Sequence, residues 1–214
     1  MAPSTVGIDQ LVGWLSRFRD LVLDQQNYLT ELDSAIGDAD HGANMARGMT
    51  AVLAKIGAEP AATADELFKS VGMTLVTSVG GASGPLYGTF FLRMGMGAGA
   101  VTEFTGVTLG EALRRALDGV VARGKAELGD KTMVDAISPA LDAWDASISS
   151  GGTVADAASA ALSAAEAGRD ATEPLVARKG RASYLGERSA GHLDPGATSS
   201  ALLFQALAET LSEQ

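Results

Sequence analysis

The chain has 214 residues, 46% of them hydrophobic and 5% aromatic, with no cysteine and a formal net charge of −10. This length fits one sizeable core, and the absence of cysteine excludes disulfides, zinc–thiolate sites and thiol chemistry. The negative charge argues against a nucleic-acid surface, because Lys and Arg neutralise phosphates in such complexes. No stretch approaches the roughly 18 apolar residues of a membrane span, and the first residues lack the features of a signal peptide. We therefore expect a cytoplasmic protein.

Apolar residues recur at helical spacing along nearly the whole chain. They predict helices over 8–32, after a Thr63–Glu66 capping box, after a Thr108–Glu111 capping box, over 132–148, over 153–168, and from Asp194-Pro195 to about Leu211. No segment predicts a strand clearly, since the best candidate, 71–79, also fits a helix. The sequence thus predicts an all-α fold, a single domain over 1–214 with about eight antiparallel helices and mostly short loops.

Glycine marks the junctions between these helices. The chain has 26 glycines, with clusters at 37–42, 80–88, 129, 180–186 and 191–196. Glycine-rich turns that lead into helix starts let backbone N–H groups approach a phosphate, and the helix dipole adds attraction. Ordinary turn and C-cap glycines give a similar spacing. The glycines alone leave both interpretations open.

Three carboxylates, Asp33, Asp38 and Asp40, lie within eight residues of one another. Carboxylates this crowded repel, so they need a cation unless each caps a helix. Their hard oxygens suit Mg²⁺, which keeps phosphate oxygens in its shell. An EF-hand is excluded, because Met49 stands where its twelfth position needs an acidic ligand. The alternative is that Asp40 caps the next helix while Asp33 and Asp38 are solvated.

The two histidines and one basic segment are the other candidates. His41 adjoins the aspartates and His192 precedes the last helix, but neither is paired with a nucleophile. The segment Arg178–Arg181 is either a solvated loop or a phosphate clamp, for which the fork of arginine is suited. Neither the Walker motif nor the kinase catalytic loop occurs. A nucleotide would therefore be bound on a different, helical scaffold.

Several segments, in this order along the chain, resemble the nucleotide-binding L subunit of dihydroxyacetone kinase. They are GDADHGAN at 37–44, GGASGPLYG at 80–88, GDKTM at 129–133, GRASYLGER at 180–188 and DPGATS at 194–199. The resemblance covers essentially the whole chain. It implies a helical barrel with a nucleotide site at one end.

The resemblance also implies roles for individual residues. Asp33, Asp38 and Asp40 would hold two Mg²⁺ ions that bridge the phosphates of ADP or ATP. The nucleotide contacts would be His41, Gly42, Ala43 and Asn44 beside the phosphates, Ala82 and Ser83 in a second phosphate-binding turn, Gly124 and Met133 near the adenine, Arg181 on a phosphate, and Asp194, Pro195 and Gly196 in the closing loop. No protein nucleophile is expected in this chain.

By the same resemblance, the chain would be half of a phosphotransferase of glycerol metabolism. Dihydroxyacetone would be held covalently by a histidine of a separate K subunit. A phosphohistidine-carrying M subunit of the phosphotransferase system would recharge ADP to ATP. Two alternatives stay open: an ATP-dependent kinase subunit for dihydroxyacetone or a related small polyol or ketose, and a nucleotide-sensing regulatory protein, since family members also contact a transcriptional regulator. We also expect a homodimer.

Overall fold

The computed structural model describes residues 5–212. Residues 1–4 and 213–214 lie outside this part. The segment examined for a signal peptide begins at residue 1, so that prediction falls partly outside the described residues. The α-helices are α1 Ile8–Asp24, α2 Gln26–Ile36, α3 His41–Ala58, α4 Ala64–Ser78, α5 Ser83–Ala98, α6 Gly106–Gly124, α7 Val134–Ser149, α8 Val154–Ala171 and α9 Pro195–Ser212. A 3₁₀ helix spans Arg181–Ser189, and two short strands are β1 Thr5–Gly7 and β2 Glu103–Thr105.

Eight of these helices form a closed ring. Each helix from α3 to α9 packs against the next in the chain, α1 closes the ring by packing against both α9 and α3, and α2 rests on α3 and α9. Short connections make consecutive helices from α3 to α8 antiparallel, and the longer segment 172–194 returns the chain so that α9 begins beside the start of α7. As a result α3, α5, α7 and α9 all begin at one end of the ring, which we call the site end. The expected all-α antiparallel fold is confirmed.

The interior of the ring is built from a few aromatic side chains and many small ones. Trp14 is fully buried, and its ring lies 6.4 Å from that of Phe68 and 6.1 Å from that of Phe91. Its indole N–H donates to the carbonyl of Leu203 at 2.8 Å, which ties α1 to α9 and helps to close the ring. No helix in the described part of the chain has both the length and the apolar character needed to cross a bilayer.

Several local features differ from the sequence-based prediction. The helix predicted over 8–32 is broken at Gln25, whose N–H still donates to the carbonyl of Leu21. The strands β1 and β2 pair antiparallel at the far end of the ring, with Val6 opposite Phe104. Three-residue strands carry too little periodicity to be seen in a sequence.

The two predicted capping boxes were only partly right. Helix α4 does begin after Thr63, but the Thr63 hydroxyl bonds to Asp65 and forms no cap. The box placed at Thr108 was wrong, because Thr105 is the N-cap of α6 and exchanges hydrogen bonds with Thr108. The last helix is confirmed, and it begins at Pro195 as predicted.

Glycines let the backbones of α4 and α5 touch. A Cβ atom added to Gly72 would lie 2.7 Å from the carbonyl oxygen of Gly88, and one added to Gly88 would lie 3.0 Å from that of Gly72. Real Cβ atoms rarely come this close to backbone atoms, so a larger residue at either position must push the helices apart.

We expect Gly72→Ala to lower the free energy of unfolding by about 1–3 kcal/mol, because it overpacks this contact. Gly57→Ala is the matched control, since Gly57 is also helical but has nothing within 4 Å of an added Cβ. It should raise stability by up to about 1 kcal/mol through helix propensity. Urea unfolding of both variants measures the difference, and a stabilised Gly72→Ala protein would contradict the close contact.

Candidate functional site

A cleft of about 390 Å³ opens at the site end of the ring. Its walls come from the starts of α3, α5, α7 and α9, the end of α6, the end of α2, and the segment between α8 and α9. Its size lies in the range of small-molecule sites. Of the predicted residues, the cleft is lined by Asp33, Asp38, Asp40, His41, Ala82, Ser83, Gly124, Met133, Arg181, Asp194, Pro195 and Gly196.

The three predicted carboxylates meet at one point of this cleft. Asp33, Asp38 and Asp40 each offer an oxygen, and these oxygens all lie within 4.8 Å of one another. Asp33 is buried in the last turn of α2, and its Oδ2 accepts the backbone N–H groups of Asp40 at 2.8 Å and His41 at 3.1 Å. The start of α3 therefore fixes Asp33. Three converging hard oxygens are the ligand set that Mg²⁺ prefers.

The connection between α2 and α3 has an unusual backbone. Ala39, between Asp38 and Asp40, has a φ of 61°, a left-handed conformation that costs a residue with a Cβ roughly 1–2 kcal/mol. Gly37 has no side chain, and a Cβ atom added there would lie 1.9 Å from Oδ1 of Asp33. This tight turn is what brings the carboxylates of Asp38 and Asp40 back to Asp33. Strained backbone of this kind clusters at functional sites.

Four helices, α3, α5, α7 and α9, begin at the cleft. The turn before α5 contains Gly81, whose φ of 65° is left-handed and whose added Cβ would lie 3.8 Å from Oδ1 of Asp40. The glycine-rich turn predicted at 80–84 thus lies beside the carboxylates. Helix N-termini carry partial positive charge and free donors, so this end of the ring favours an anion next to a cation.

His41 joins three of these helix starts. Its Nδ1 lies 2.9 Å from the Ser83 hydroxyl at the start of α5, and its Nε2 lies 2.9 Å from the Ser199 hydroxyl in α9. The Tyr87 hydroxyl lies 2.7 Å from Ser199 and extends the network. Burial lowers the pKa of His41 to about 4, against the opposing charges of Asp33 and Asp40. The imidazole is therefore neutral, and both of its nitrogens are engaged.

The other end of the cleft is mostly apolar, with Arg123 as a charged residue that also lines the cleft. Leu86, Val120, Met133 and Val134 line it together with Gly124, at the end of α6. A Cβ added to Gly124 would lie 3.4 Å from the Leu86 side chain, so the missing side chain keeps this region open. The cleft thus has a charged end and an apolar end.

The segment between α8 and α9 covers the charged end. The 3₁₀ helix in this segment is held against the end of α2 by a small apolar cluster of Ile36, Ala177 and Ala182. From there Arg181 reaches across, and its Nη2 lies 2.9 Å from Oδ2 of Asp38. The basic segment is therefore part of the site and not a detached solvated loop.

The last loop caps α9 and closes the cleft against α7. Asp194 is buried, and its Oδ2 accepts the N–H of Ala197 at 2.6 Å, so the predicted N-cap is confirmed. Burial raises the pKa of Asp194 to about 7, with the charge of Asp135 acting in the same direction. A Cβ on Gly196 would lie 3.5 Å from the Met133 nitrogen. The starts of α7 and α9 therefore approach closely.

Three predicted residues do not line the cleft. Gly42 packs against α2, where an added Cβ would lie 2.0 Å from the Gln26 carbonyl oxygen. Asn44 is buried behind Gly80 and accepts from Arg47 at 2.6 Å, and Ala43 is exposed. They support the turn from behind, and a direct contact with a nucleotide stays a prediction.

Sequence reasoning missed two buried residues beside the cleft. Asp135, in the first turn of α7, accepts the N–H of Thr132 at 2.7 Å. Lys131 is only 1% exposed, and its ammonium group donates to backbone carbonyls of the covering segment. Lys131 stands in the GDKTM segment, but its burial depends on carbonyls about forty residues away, which no local pattern shows.

Comparison with known proteins gives matches over nearly the whole chain. A family model described as the DAK2 domain matches residues 35–209. The chain is 48% identical, over 95% of its length and 97% of the relative's, to the PEP-dependent dihydroxyacetone kinase, ADP-binding subunit DhaL, of Escherichia coli (strain K12). It is 44% identical, over 94% of its length and 96% of the relative's, to the ADP-binding subunit DhaL of the PEP-dependent dihydroxyacetone kinase 1 of Listeria innocua.

A solved structure has the same fold. It is the crystal structure of the dihydroxyacetone kinase from C. freundii in complex with AMP-PNP and Mg²⁺. The TM-score is 0.71 and the identity is 30%, and the match covers 92% of this chain and 33% of that chain. The chain therefore spans about a third of the length of that kinase.

We expect His41→Gln to lower the free energy of unfolding at pH 7 by about 1–3 kcal/mol, because buried hydroxyls lose their partner. The pKa of His41 is about 4 in the folded chain and near 6.5 in an unfolded one. Its neutral form therefore stabilises the fold fully above pH 6.5, and this contribution is lost as the pH falls toward 4.

The difference in stability between wild type and His41→Gln should accordingly shrink between pH 6.5 and pH 4, measured by urea unfolding at several pH values. His192→Ala is the control, because this second histidine is exposed and should change stability by less than about 0.5 kcal/mol at pH 7. A difference that grows toward acid pH would contradict the neutral imidazole.

Proposed function

This chain belongs to the DAK2 domain family, and we propose that it is the ADP-binding subunit of a dihydroxyacetone kinase. The observation that carries the proposal is the group of three carboxylates at converging helix starts, at the charged end of a cleft whose other end is apolar. It is supported by relatives named as ADP-binding subunits that match almost end to end.

The proposed reaction is a phosphoryl relay in the cytoplasm, with residues 1–214 acting as one nucleotide-binding domain. A phosphohistidine of an M subunit loses its phosphoryl group, as the nitrogen–phosphorus bond breaks, to the terminal phosphate of bound ADP. The bond between the terminal phosphorus of the resulting ATP and its bridging oxygen then breaks, and that phosphorus bonds to a hydroxyl oxygen of dihydroxyacetone on a separate K subunit. ADP is regenerated, and the hydroxyl proton is released to solvent. The homodimer and the contact with a transcriptional regulator stay predictions from the resemblance.

The carboxylates fit the metal that such a reaction needs. Asp33, Asp38 and Asp40 would hold two Mg²⁺ ions, with Asp33 oriented by the N–H groups of α3. Bound magnesium would neutralise the charge of the phosphates and align them. Arg181, already beside Asp38, is placed to add a second positive charge and a planar set of donors.

The remaining walls fit the rest of an adenine nucleotide. The N–H groups at the start of α5, at Ala82 and Ser83, would hold phosphate oxygens. The open apolar region at Gly124 and Met133 would take the base. Asp194, Pro195 and Gly196 would close the site.

The chain's histidines support the need for a partner. Both nitrogens of His41 are bonded to serines, and His192 is exposed and outside the cleft lining. Neither is placed to attack a ketone beside the carboxylates. In the proposed relay, covalent binding of dihydroxyacetone is assigned to the K subunit, and this chain would position the phosphates.

We expect Asp38→Asn to weaken binding of ADP in the presence of Mg²⁺ by at least about 100-fold. Loss of a residue that only supports a metal ligand weakens metal binding by up to about 100-fold, so loss of a ligand itself should have at least that effect. The apo fold should be nearly unchanged, because an exposed ion pair such as that with Arg181 contributes at most about 1 kcal/mol. Melting temperatures with and without Mg²⁺–ADP measure both effects.

Asp118→Asn is the matched control, since Asp118 is exposed on α6 and outside the cleft. It should keep the full shift in melting temperature. A shift that survives undiminished in Asp38→Asn would be fatal to the metal-ligand role.

Reconstitution tests the reaction itself. The chain loaded with labelled ADP and Mg²⁺ is mixed with a K subunit carrying dihydroxyacetone and a phosphorylated M subunit. We expect dihydroxyacetone phosphate to form while the label stays on the chain. Product made only with added ATP, together with fast loss of the label, would favour the ATP-dependent alternative. No transfer despite bound nucleotide would favour a regulatory protein.

A further inference from the structure

Lys131 binds both ends of the segment that covers the cleft. Its Nζ donates to the carbonyl oxygens of Thr172 at 2.8 Å, Leu175 at 3.1 Å and Glu173 at 3.3 Å, and also to that of His192. The first three acceptors follow directly after α8, and the fourth precedes α9. One side chain thus joins the point where the segment 172–194 leaves the ring to the point where it re-enters the ring.

Burying this ammonium group is costly unless it is well bonded. Lys131 is 1% exposed and has a left-handed φ of 63°, so both its side chain and its backbone are committed to this position. An ammonium group has three N–H donors, and here they are shared among the four carbonyl oxygens. The surroundings satisfy the amine, and its removal would leave those carbonyls without this donor.

The loop that carries Lys131 is itself held firmly. Asp135 accepts the N–H groups of Gly129 and Thr132, on either side of the lysine. The Asp130 carbonyl accepts the N–H of Arg178 at 3.1 Å, which places a further contact inside the covering segment. The loop 127–135 is therefore a fixed anchor, and the covering segment is the part attached to it.

Other contacts that hold the covering segment are few. Its apolar cluster is small and consists of the buried side chains of Ile36, Ala177 and Ala182 with the partly buried Leu185 packed against them. At its ends, the Gly191 N–H donates to the Glu173 carbonyl at 2.8 Å, and the Asp194 N–H donates to the Thr172 hydroxyl at 3.0 Å. These bonds join the ends to each other. Lys131 joins both of them to the ring.

We propose that Lys131 is a positioning residue of the nucleotide site, which keeps the segment 172–194 closed over the cleft and so sets how long a nucleotide stays bound. The second half of this inference rests on the proposed function. Arg181 is carried by this segment, and Asp194 lies at its end, directly before α9. Release of the two ends would let Arg181 move away from the phosphates.

Hydrogen exchange of the nucleotide-free full chain tests the first half. Lys131→Met keeps the length of the side chain and removes its donors. We expect the amides of Ala177, Gly191 and Asp194 to exchange at least about tenfold faster, since hydrogen bonds to a charged group are lost. Amides in α1 and α4 should exchange as in the wild type.

Trp144→Phe is the control for general loss of stability. It removes one buried donor, the indole N–H that bonds to the Gly106 carbonyl at 2.9 Å at the far end of the ring. It should leave exchange in 172–194 unchanged. Thr172→Val provides a second variant at the same junction, should Lys131→Met not fold, and it should speed exchange of the Asp194 amide.

Dissociation of labelled ADP from the Mg²⁺-loaded chain, chased with unlabelled ADP, tests the second half. We expect the rate to rise at least about tenfold in Lys131→Met and to change less than twofold in Trp144→Phe. Unchanged exchange in 172–194 in both Lys131→Met and Thr172→Val would overturn the inference, and so would unchanged dissociation. If the wild type binds no Mg²⁺–ADP, the proposed function fails, while the exchange data still decide whether Lys131 holds the segment.

Discussion

Repulsion among Asp33, Asp38 and Asp40 is the constraint around which the site end is built. Their oxygens lie within 4.8 Å of one another, and a pair of full charges at that distance repels by on the order of 3 kcal/mol at an effective dielectric constant near 20. The fold offsets part of this repulsion, because backbone N–H groups at the start of α3 donate to Asp33 and Arg181 forms an ion pair with Asp38. It does not neutralise all three charges. A cluster held in this way is arranged to receive cations.

The architecture of the ring makes this arrangement possible. In an even ring of antiparallel helices every second helix begins at the same end, so α3, α5, α7 and α9 bring the positive ends of four helix dipoles together. Positive helix ends next to a negative cluster attract a cation and an anion to adjacent places. Neutral His41 holds three of these starts at fixed spacing without adding a charge. The ring thus positions a charged ligand through backbone geometry.

The parts that could be predicted from the sequence are those with a local cause. Helical periodicity predicted the fold, and residue type with spacing predicted the meeting of Asp33, Asp38 and Asp40. The break at Gln25 was missed because the apolar spacing continues across it, from Leu21 and Val22 to Leu29 and Leu32. The cap at Thr105 was missed because Thr105 and Thr108, both N-cap residue types, lie within one turn of each other. Ring closure depends on α1 reaching α9, which are far apart in the chain. Lys131 was missed for the same reason, since its acceptors belong to a distant segment.

The division of tasks between ring and covering segment has a physical basis. Asp33 and the helix starts lie on rigid helices, and Asp38 and Asp40 lie in the short turn between α2 and α3. Under the proposed function these elements would fix the geometry for phosphoryl transfer, where alignment and charge matter more than covalent help. Arg181 instead lies on a segment with few apolar contacts, and such regions open at low free energy. Under the proposed function, a site that holds a nucleotide and also meets two partner proteins would need both properties. A single buried lysine at the junction can keep the segment 172–194 closed, because it binds both ends of that segment at once.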